Sequence, residues 1–124
     1  MRHGVVVLMI LGLLGGCMNM PAPPKQNLFV LFFIPGTIRL APEAEQIVRQ
    51  AAGIASSTKT SKIEVAVPVD TPGGATLREG RFTAIQNVLS ASKVNPMLFA
   101  RQPLSEAAAK LPGAADRAEI RLLP

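Results

Sequence analysis

Two periods of apolar residues follow one another along the chain from residue 28 onward. The run LFVLFFI at 28–34 is continuously apolar, which predicts a strand buried on both faces. A two-residue alternation predicts further strands at 63–69 and 118–122, and a short strand is expected at 97–100. Pro68 cannot donate a ladder hydrogen bond, so we expect the second strand to end near it or to lie at an edge.

The helical period predicts two longer helices and one short one. The first starts at Pro42, which suits an opening turn, and runs to about Ser56 with the apolar face Ala44, Ile47, Val48, Ala51 and Ile54 or Ala55. The second runs from Leu77 to about Ser92 with the apolar face Phe82, Ile85, Val88 and Leu89, and an Ala-rich segment at 104–111 is the third. The order β-α-β-α-β-(α)-β predicts an α/β fold of the α+β sandwich type, with helices packed on one small mixed sheet.

The first 27 residues have a different character. Arg2 precedes the short apolar run GVVVLMILGLL, and small residues follow it, which is typical of a secretory signal. The segment LGGC, ending at Cys17, resembles the bacterial lipobox, which implies a signal peptide at 1–16, a lipid on Cys17, a Pro-rich tether at 17–27 and a domain at 28–124. An uncleaved membrane anchor and an incidental cysteine in an ordinary signal are the alternatives.

By similarity to enterobacterial lipoproteins, the residue after the cysteine directs sorting. Met18 is not the Asp that retains a lipoprotein at the inner membrane. The expected location is therefore the outer membrane, with the lipid as anchor and the domain facing the periplasm.

Charge and composition remove several classes of function. The formal charge is +5, but no cluster of Lys and Arg interleaved with aromatic residues occurs, which argues against nucleic acid as a partner. The only His is His3 and the only Cys is Cys17, so the processed chain would keep neither a His nor a free thiol. Zinc sites and His-based nucleophile pairs need those side chains, and we therefore expect no enzyme, no metal and no cofactor.

The segment VPVDTPGGATLREGR at 67–81 holds the candidate chemistry. It lacks the G-x-x-x-x-G-K-[ST] pattern of a phosphate-binding loop, which excludes that function. Asp70 follows a strand and Arg81 lies early in the next helix. Either the pair belongs to an ordinary turn, or it forms a clasp in which Asp70 takes an ammonium and Arg81 forks to a carboxylate.

Three motifs in the right order resemble the OmpA-like peptidoglycan-associated domain. FIPGTIRLAPEA resembles that family's FDFDS...LTPEA, VAVPVDTPGGATLREGRF resembles VxGHTDxxG....NxxLSxxRA, and ADRAEI resembles NRRVEI. In the family, the Asp and Arg of the central motif grip the amine and carboxylate of diaminopimelate in the peptidoglycan stem peptide. The resemblance therefore implies ligand-binding roles for Asp70 and Arg81, and for Arg117, whose family counterpart lines the site. We do not expect Arg117 to pair with its near neighbours Asp116 or Glu119.

The chain also departs from those motifs. Pro68 and Val69 replace the His and Thr before the Asp, and Asp116 replaces the first Arg of the last motif. The alternative is therefore a degenerate OmpA-like domain that serves as a structural or protein-interaction component of an envelope, secretion or conjugation complex, with envelope proteins as partners.

Overall fold

A computed structural model describes residues 27–69 and 73–124. The elements in this part of the chain are β1 (Leu28–Phe32), α1 (Pro42–Ser57), β2 (Lys62–Val67), α2 (Gly74–Ala91), β3 (Phe99–Pro103), α3 (Glu106–Ala109) and β4 (Arg117–Leu123). Short 3-10 turns at Pro96–Leu98 and Ala114–Asp116 precede β3 and β4. The predicted order of elements and the predicted fold class are confirmed.

The strands form one four-stranded sheet in the order β1-β4-β2-β3. β4 pairs antiparallel with β1 on one side and with β2 on the other, while β2 and β3 are parallel. The sheet is therefore mixed, as predicted. The strand that comes last along the chain lies inside it.

The core lies between one face of this sheet and the two longer helices. The strands contribute alternate buried residues, and the helices contribute the faces that the 3.6-residue period predicted. Buried members include Phe29, Leu31, Ile63, Val65, Ala118 and Ile120 from the strands, and Val48, Ala51, Ile85 and Leu89 from the helices.

The prediction that β1 is buried on both faces is wrong. Phe29 and Leu31 are buried, but Leu28 and Phe32 on the other face are 37% and 42% exposed. The two longer helices pack on one face of the sheet only, so every second side chain of β1 points away from them. A continuously apolar run cannot by itself distinguish these two cases.

Local capping and turn chemistry decide two of the boundaries that differ from expectation, the starts of β3 and α3. The Asn95 side chain accepts the Met97 N–H and opens a 3-10 turn, so β3 begins at Phe99 rather than Met97. The Ser105 hydroxyl accepts the Ala108 N–H at 3.1 Å and caps α3. β2 ends at Val67, directly before Pro68, as predicted.

Candidate functional site around Arg81

The structure places the four residues predicted to carry function in different ways. Cys17 and Asp70 lie outside the described residues. Arg81 lies in the second turn of α2, and Arg117 is the first residue of β4. The distance between Asp70 and Arg81 is therefore not defined, and the clasp between them stays a prediction.

Arg81 is only 1% exposed, and it is the one buried charged side chain within 27–69 and 73–124. Its Nε donates to the Thr37 carbonyl at 2.9 Å, and its Nη1 donates to the Ala115 carbonyl at 2.8 Å. Its Nη2 donates to Asp116 Oδ1 at 2.8 Å. The guanidinium carbon also lies 4.8 Å from the centre of the Phe33 ring, within cation–π range. A buried guanidinium needs acceptors of this kind, and here its own chain supplies them.

The Asp116 carboxylate receives a second donor. Its Oδ1 accepts the Gly36 N–H at 3.0 Å as well as the Arg81 bond. Partial burial acts to raise the pKa of Asp116, but the Gly36 N–H and the Arg81 guanidinium outweigh it and hold that pKa below its usual value. Asp116 is therefore ionised at neutral pH, and it forms an ion pair with Arg81 in which Asp116 is 23% exposed.

The loop between β1 and α1 is shaped to present the Gly36 N–H. Gly36 has a φ of 72°, a left-handed conformation that favours glycine. The Thr37 N–H and hydroxyl both donate to the Ile34 carbonyl, at 3.0 and 2.8 Å, and tighten the turn. These bonds direct the Gly36 N–H towards the start of β4.

A close approach at Gly80 positions the same loop against α2. A Cβ atom at Gly80 would lie 2.6 Å from Ile38 Cγ2, a distance that real Cβ contacts do not show. Only glycine lets Ile38 pack there. Together, Gly80 and Arg81 join α2 to the β1–α1 loop, while the bonds to Ala115 and Asp116 join it to the segment before β4.

Arg117 lies apart from this cluster. Its Nε donates to Glu119 Oε2 at 2.9 Å, and the two side chains are 14% and 12% exposed. The expectation that Arg117 would not pair with a near neighbour is wrong, because residues two apart on a strand share a face. The buried Ala118 lies between them on the helix-covered face, so the ion pair lies on the opposite face of the sheet.

A cavity of about 460 Å³ adjoins the Arg81 cluster. Pro68 and Val69 line it at the end of β2, Leu104 and Glu106 line it near α3, and Ala115 lines it beside Arg81. Its volume is within the range of small-ligand sites. In the sequence, the predicted acid Asp70 is the residue after Val69, which lines this cavity.

Neither a metal centre nor a membrane span is evident in the described part of the chain. No three His, Cys, Asp or Glu residues among those described come together in a way that could hold a metal ion. None of the described helices combines the length and apolar character needed to cross a bilayer.

Sequence reasoning missed Asp116 as the partner of Arg81. Asp116 stands at a position of the last motif that Arg holds in the OmpA-like family, so the motif comparison marks it as a departure and assigns it no role. One signal was present: Arg81, Ile85 and Leu89 are spaced four residues apart, which places all three on one helix face. That face is buried, and a buried Arg requires a carboxylate or carbonyl partner.

Comparison with known proteins identifies the fold. The four-stranded mixed sheet, with two long helices on one face, belongs to the class of α+β sandwiches. No family model matches the chain, and no curated protein matches it. Among solved structures, the OmpA-like domain of FopA1 from Francisella tularensis superposes with a TM-score of 0.61 at 11% identity, covering 77% of this chain and 73% of that domain.

Two further structures agree. The C-terminal domain of Helicobacter pylori MotB has a TM-score of 0.60 at 19% identity, covering 81% of this chain and 86% of that one. The peptidoglycan-associated lipoprotein from Burkholderia pseudomallei has a TM-score of 0.59 at 17% identity, covering 77% of this chain and 90% of its own. This chain has the OmpA-like fold, and the resemblance seen in the motifs is confirmed at the level of the fold.

Proposed function

We propose that this chain is an outer-membrane lipoprotein whose OmpA-like domain binds the peptidoglycan stem peptide non-covalently and so tethers the envelope to the cell wall. It acts as a binding module, without cofactor or metal, and not as an enzyme. The fold is shared with a peptidoglycan-associated lipoprotein, which supports this assignment.

The observation that carries the proposal is the carboxylate held by Arg81. The guanidinium is anchored by the Thr37 and Ala115 carbonyls, and its remaining bond goes to a carboxylate oxygen. A diaminopimelate side chain ends in a carboxylate and an ammonium on one carbon. In the proposed complex Arg81 takes that carboxylate, Asp70 takes the ammonium, and Arg117 contacts the stem peptide further along.

The membrane attachment is proposed from the N-terminal sequence. Residues 1–16 are the signal, Cys17 carries the lipid, and 17–27 tether the domain at 28–124 on the periplasmic side of the outer membrane. Cells expressing the chain and fed an alkyne-labelled palmitate analogue should label the wild type and not the Cys17→Ser variant. Equal labelling of the two would contradict lipidation at Cys17.

Sedimentation with purified cell wall tests the binding. The chain from residue 17 onward, carrying Cys17→Ser, is mixed with diaminopimelate-type peptidoglycan and centrifuged. Wild type should sediment, while Asp70→Asn and Arg81→Lys, each checked for folding by circular dichroism, should stay in solution. Arg101→Gln is the matched control, because Arg101 is an exposed Arg that pairs with Glu79 and should not affect binding. Lysine-type peptidoglycan lacks the second carboxylate and should bind more weakly.

One observation favours the second candidate, a structural or protein-interaction component of an envelope complex. Arg81 is 1% exposed, and its three hydrogen bonds go to residues of its own chain. If the folded wild type stays in solution with diaminopimelate-type peptidoglycan, the first proposal fails. Envelope protein partners then become the ligands to seek.

A further inference from the structure

The two partners of the buried ion pair differ in their access to solvent. Arg81 is 1% exposed, while Asp116 is 23% exposed. Asp116 therefore lies on the solvent side of the guanidinium. An anion that approached Arg81 from that side would meet the Asp116 carboxylate first.

The donors around Asp116 Oδ1 form a defined cradle for one carboxylate oxygen. The Gly36 N–H lies 3.0 Å from it and Arg81 Nη2 lies 2.8 Å from it. Both donors belong to segments that are fixed independently of Asp116, because Arg81 is also bonded to Thr37 and Ala115. The cradle would therefore persist if the Asp116 side chain rotated outwards.

We propose that the Asp116 carboxylate is an internal competitor that occupies this cradle in place of an external carboxylate. It has to leave before Arg81 can bind the stem peptide, so it sets the affinity of the site. This inference rests on the proposed function, and it adds a specificity-determining residue that the motif comparison treats only as a departure.

The chemistry of the cradle restricts which ligand can replace Asp116. Removing Asp116 leaves a buried guanidinium without its counter-charge, which is unfavourable. A neutral ligand would not restore that charge, whereas a carboxylate would. The displaced Asp116 would regain full hydration, which offsets part of the free energy lost when it leaves the cradle.

Titration with a small carboxylate tests whether an external carboxylate can bind in the cradle that Asp116 occupies in wild type. Asp116→Ala, in the chain from residue 17 onward with Cys17→Ser, is titrated with sodium acetate against sodium chloride of equal ionic strength. Thermal unfolding is followed by circular dichroism. We expect a saturable rise of the unfolding temperature with acetate in Asp116→Ala and none in wild type. Glu79→Ala is the matched control, since it removes the acid from an ion pair whose Arg101 is 42% exposed and has no cradle.

A second readout applies if Asp116→Ala does not fold without an anion. Acetate-dependent refolding then replaces the shift in unfolding temperature as the supporting result. Asp116→Asn, which keeps an oxygen acceptor for the Gly36 N–H, is titrated in parallel. If acetate acts no differently from chloride in both variants, the inference is overturned.

Sedimentation with diaminopimelate-type peptidoglycan separates this inference from the proposed function. Asp116→Ala should bind about tenfold more tightly than wild type if the site is open about one-tenth of the time in wild type. Wild-type and variant chains that sediment equally would overturn the competition and leave the proposed function standing. A saturable acetate effect with no sedimentation of either chain would support the occupied cradle and overturn the proposed function.

Discussion

Replacing Arg81 by Ala should destabilise the domain far more than the same replacement at Arg101. The two arginines share two kinds of contact, and Arg81 also donates to the Thr37 and Ala115 carbonyls. Each pairs with one acid, and each lies over a Phe ring, at 4.8 Å for Arg81 and 5.0 Å for Arg101. They differ in burial, because the Arg81 side chain is 1% exposed and the Arg101 side chain is 42% exposed.

The expected magnitude follows from the bonds that are lost. Arg81→Ala removes three hydrogen bonds, to Thr37, Ala115 and Asp116, each contributing about 1 kcal/mol. It also leaves a cavity under Phe33 and removes the counter-charge of Asp116. The free energy of unfolding should fall by about 3 kcal/mol or more, which corresponds to a drop of about 12 °C or more in Tm for a domain of this size. Exposed ion pairs contribute little, so Arg101→Ala should stay close to wild type.

The assay is urea and thermal unfolding followed by far-ultraviolet circular dichroism, because the chain has no Trp and no Tyr to report by fluorescence. Both variants are made in the chain from residue 17 onward with Cys17→Ser. A single lost hydrogen bond would account for about 1 kcal/mol. If the free energy of unfolding of Arg81→Ala differs from that of wild type by less than this, the reasoning is refuted. Arg81 would then not hold the β1–α1 loop and the start of β4 together.

Three further changes follow from the structure. Gly80→Ala should lower the free energy of unfolding by about 1 kcal/mol, because the clash with Ile38 exceeds the gain in helix propensity. In an Ile38→Ala background the same change should be stabilising, and a double-mutant cycle by urea unfolding checks this change of sign. The native pKa of Asp116 is lowered, so its ionised form contributes stability at neutral pH that is lost as the pH falls from about 5 through that pKa. The stability difference between wild type and Asp116→Asn should therefore shrink in acid, and a constant difference would contradict this. Ser105→Ala should cost about 1 kcal/mol through loss of the α3 cap, measured as a lower urea midpoint, whereas an unchanged midpoint would show that the cap contributes nothing.

The sequence predicted the elements whose pattern is local. The period of Ile63, Val65 and Val67 defines β2, and the face of Ala44, Val48 and Ala51 defines α1, since each repeats within a few residues. The end of β2 before Pro68 was also predictable, because the missing donor acts at its own position. The sequence did not predict which face of β1 is covered, because that depends on where two distant helices pack.

The candidate site was predicted only in part for the same reason. The motif comparison singled out Arg81, but its acceptors Thr37, Ala115 and Asp116 are distant from it in the sequence and come together only in the fold. The pairing of Arg117 with Glu119 could have been read from the strand period, since residues two apart lie on one face. Asp70 lies outside the described residues, and its role remains the prediction made from the sequence.

The position of β4 inside the sheet has a consequence for how the chain folds. β1 and β2 do not pair with each other, because β4 lies between them and comes after both along the chain. A chain that has been synthesised only as far as α3 contains β1 and β2 but lacks β4, which pairs with both. The sheet can close only after the segment Arg117–Leu123 arrives, so it closes late and through contacts between distant residues, which slows folding. If the chain is exported as proposed, its sheet stays incomplete until β4 has left the translocation pore.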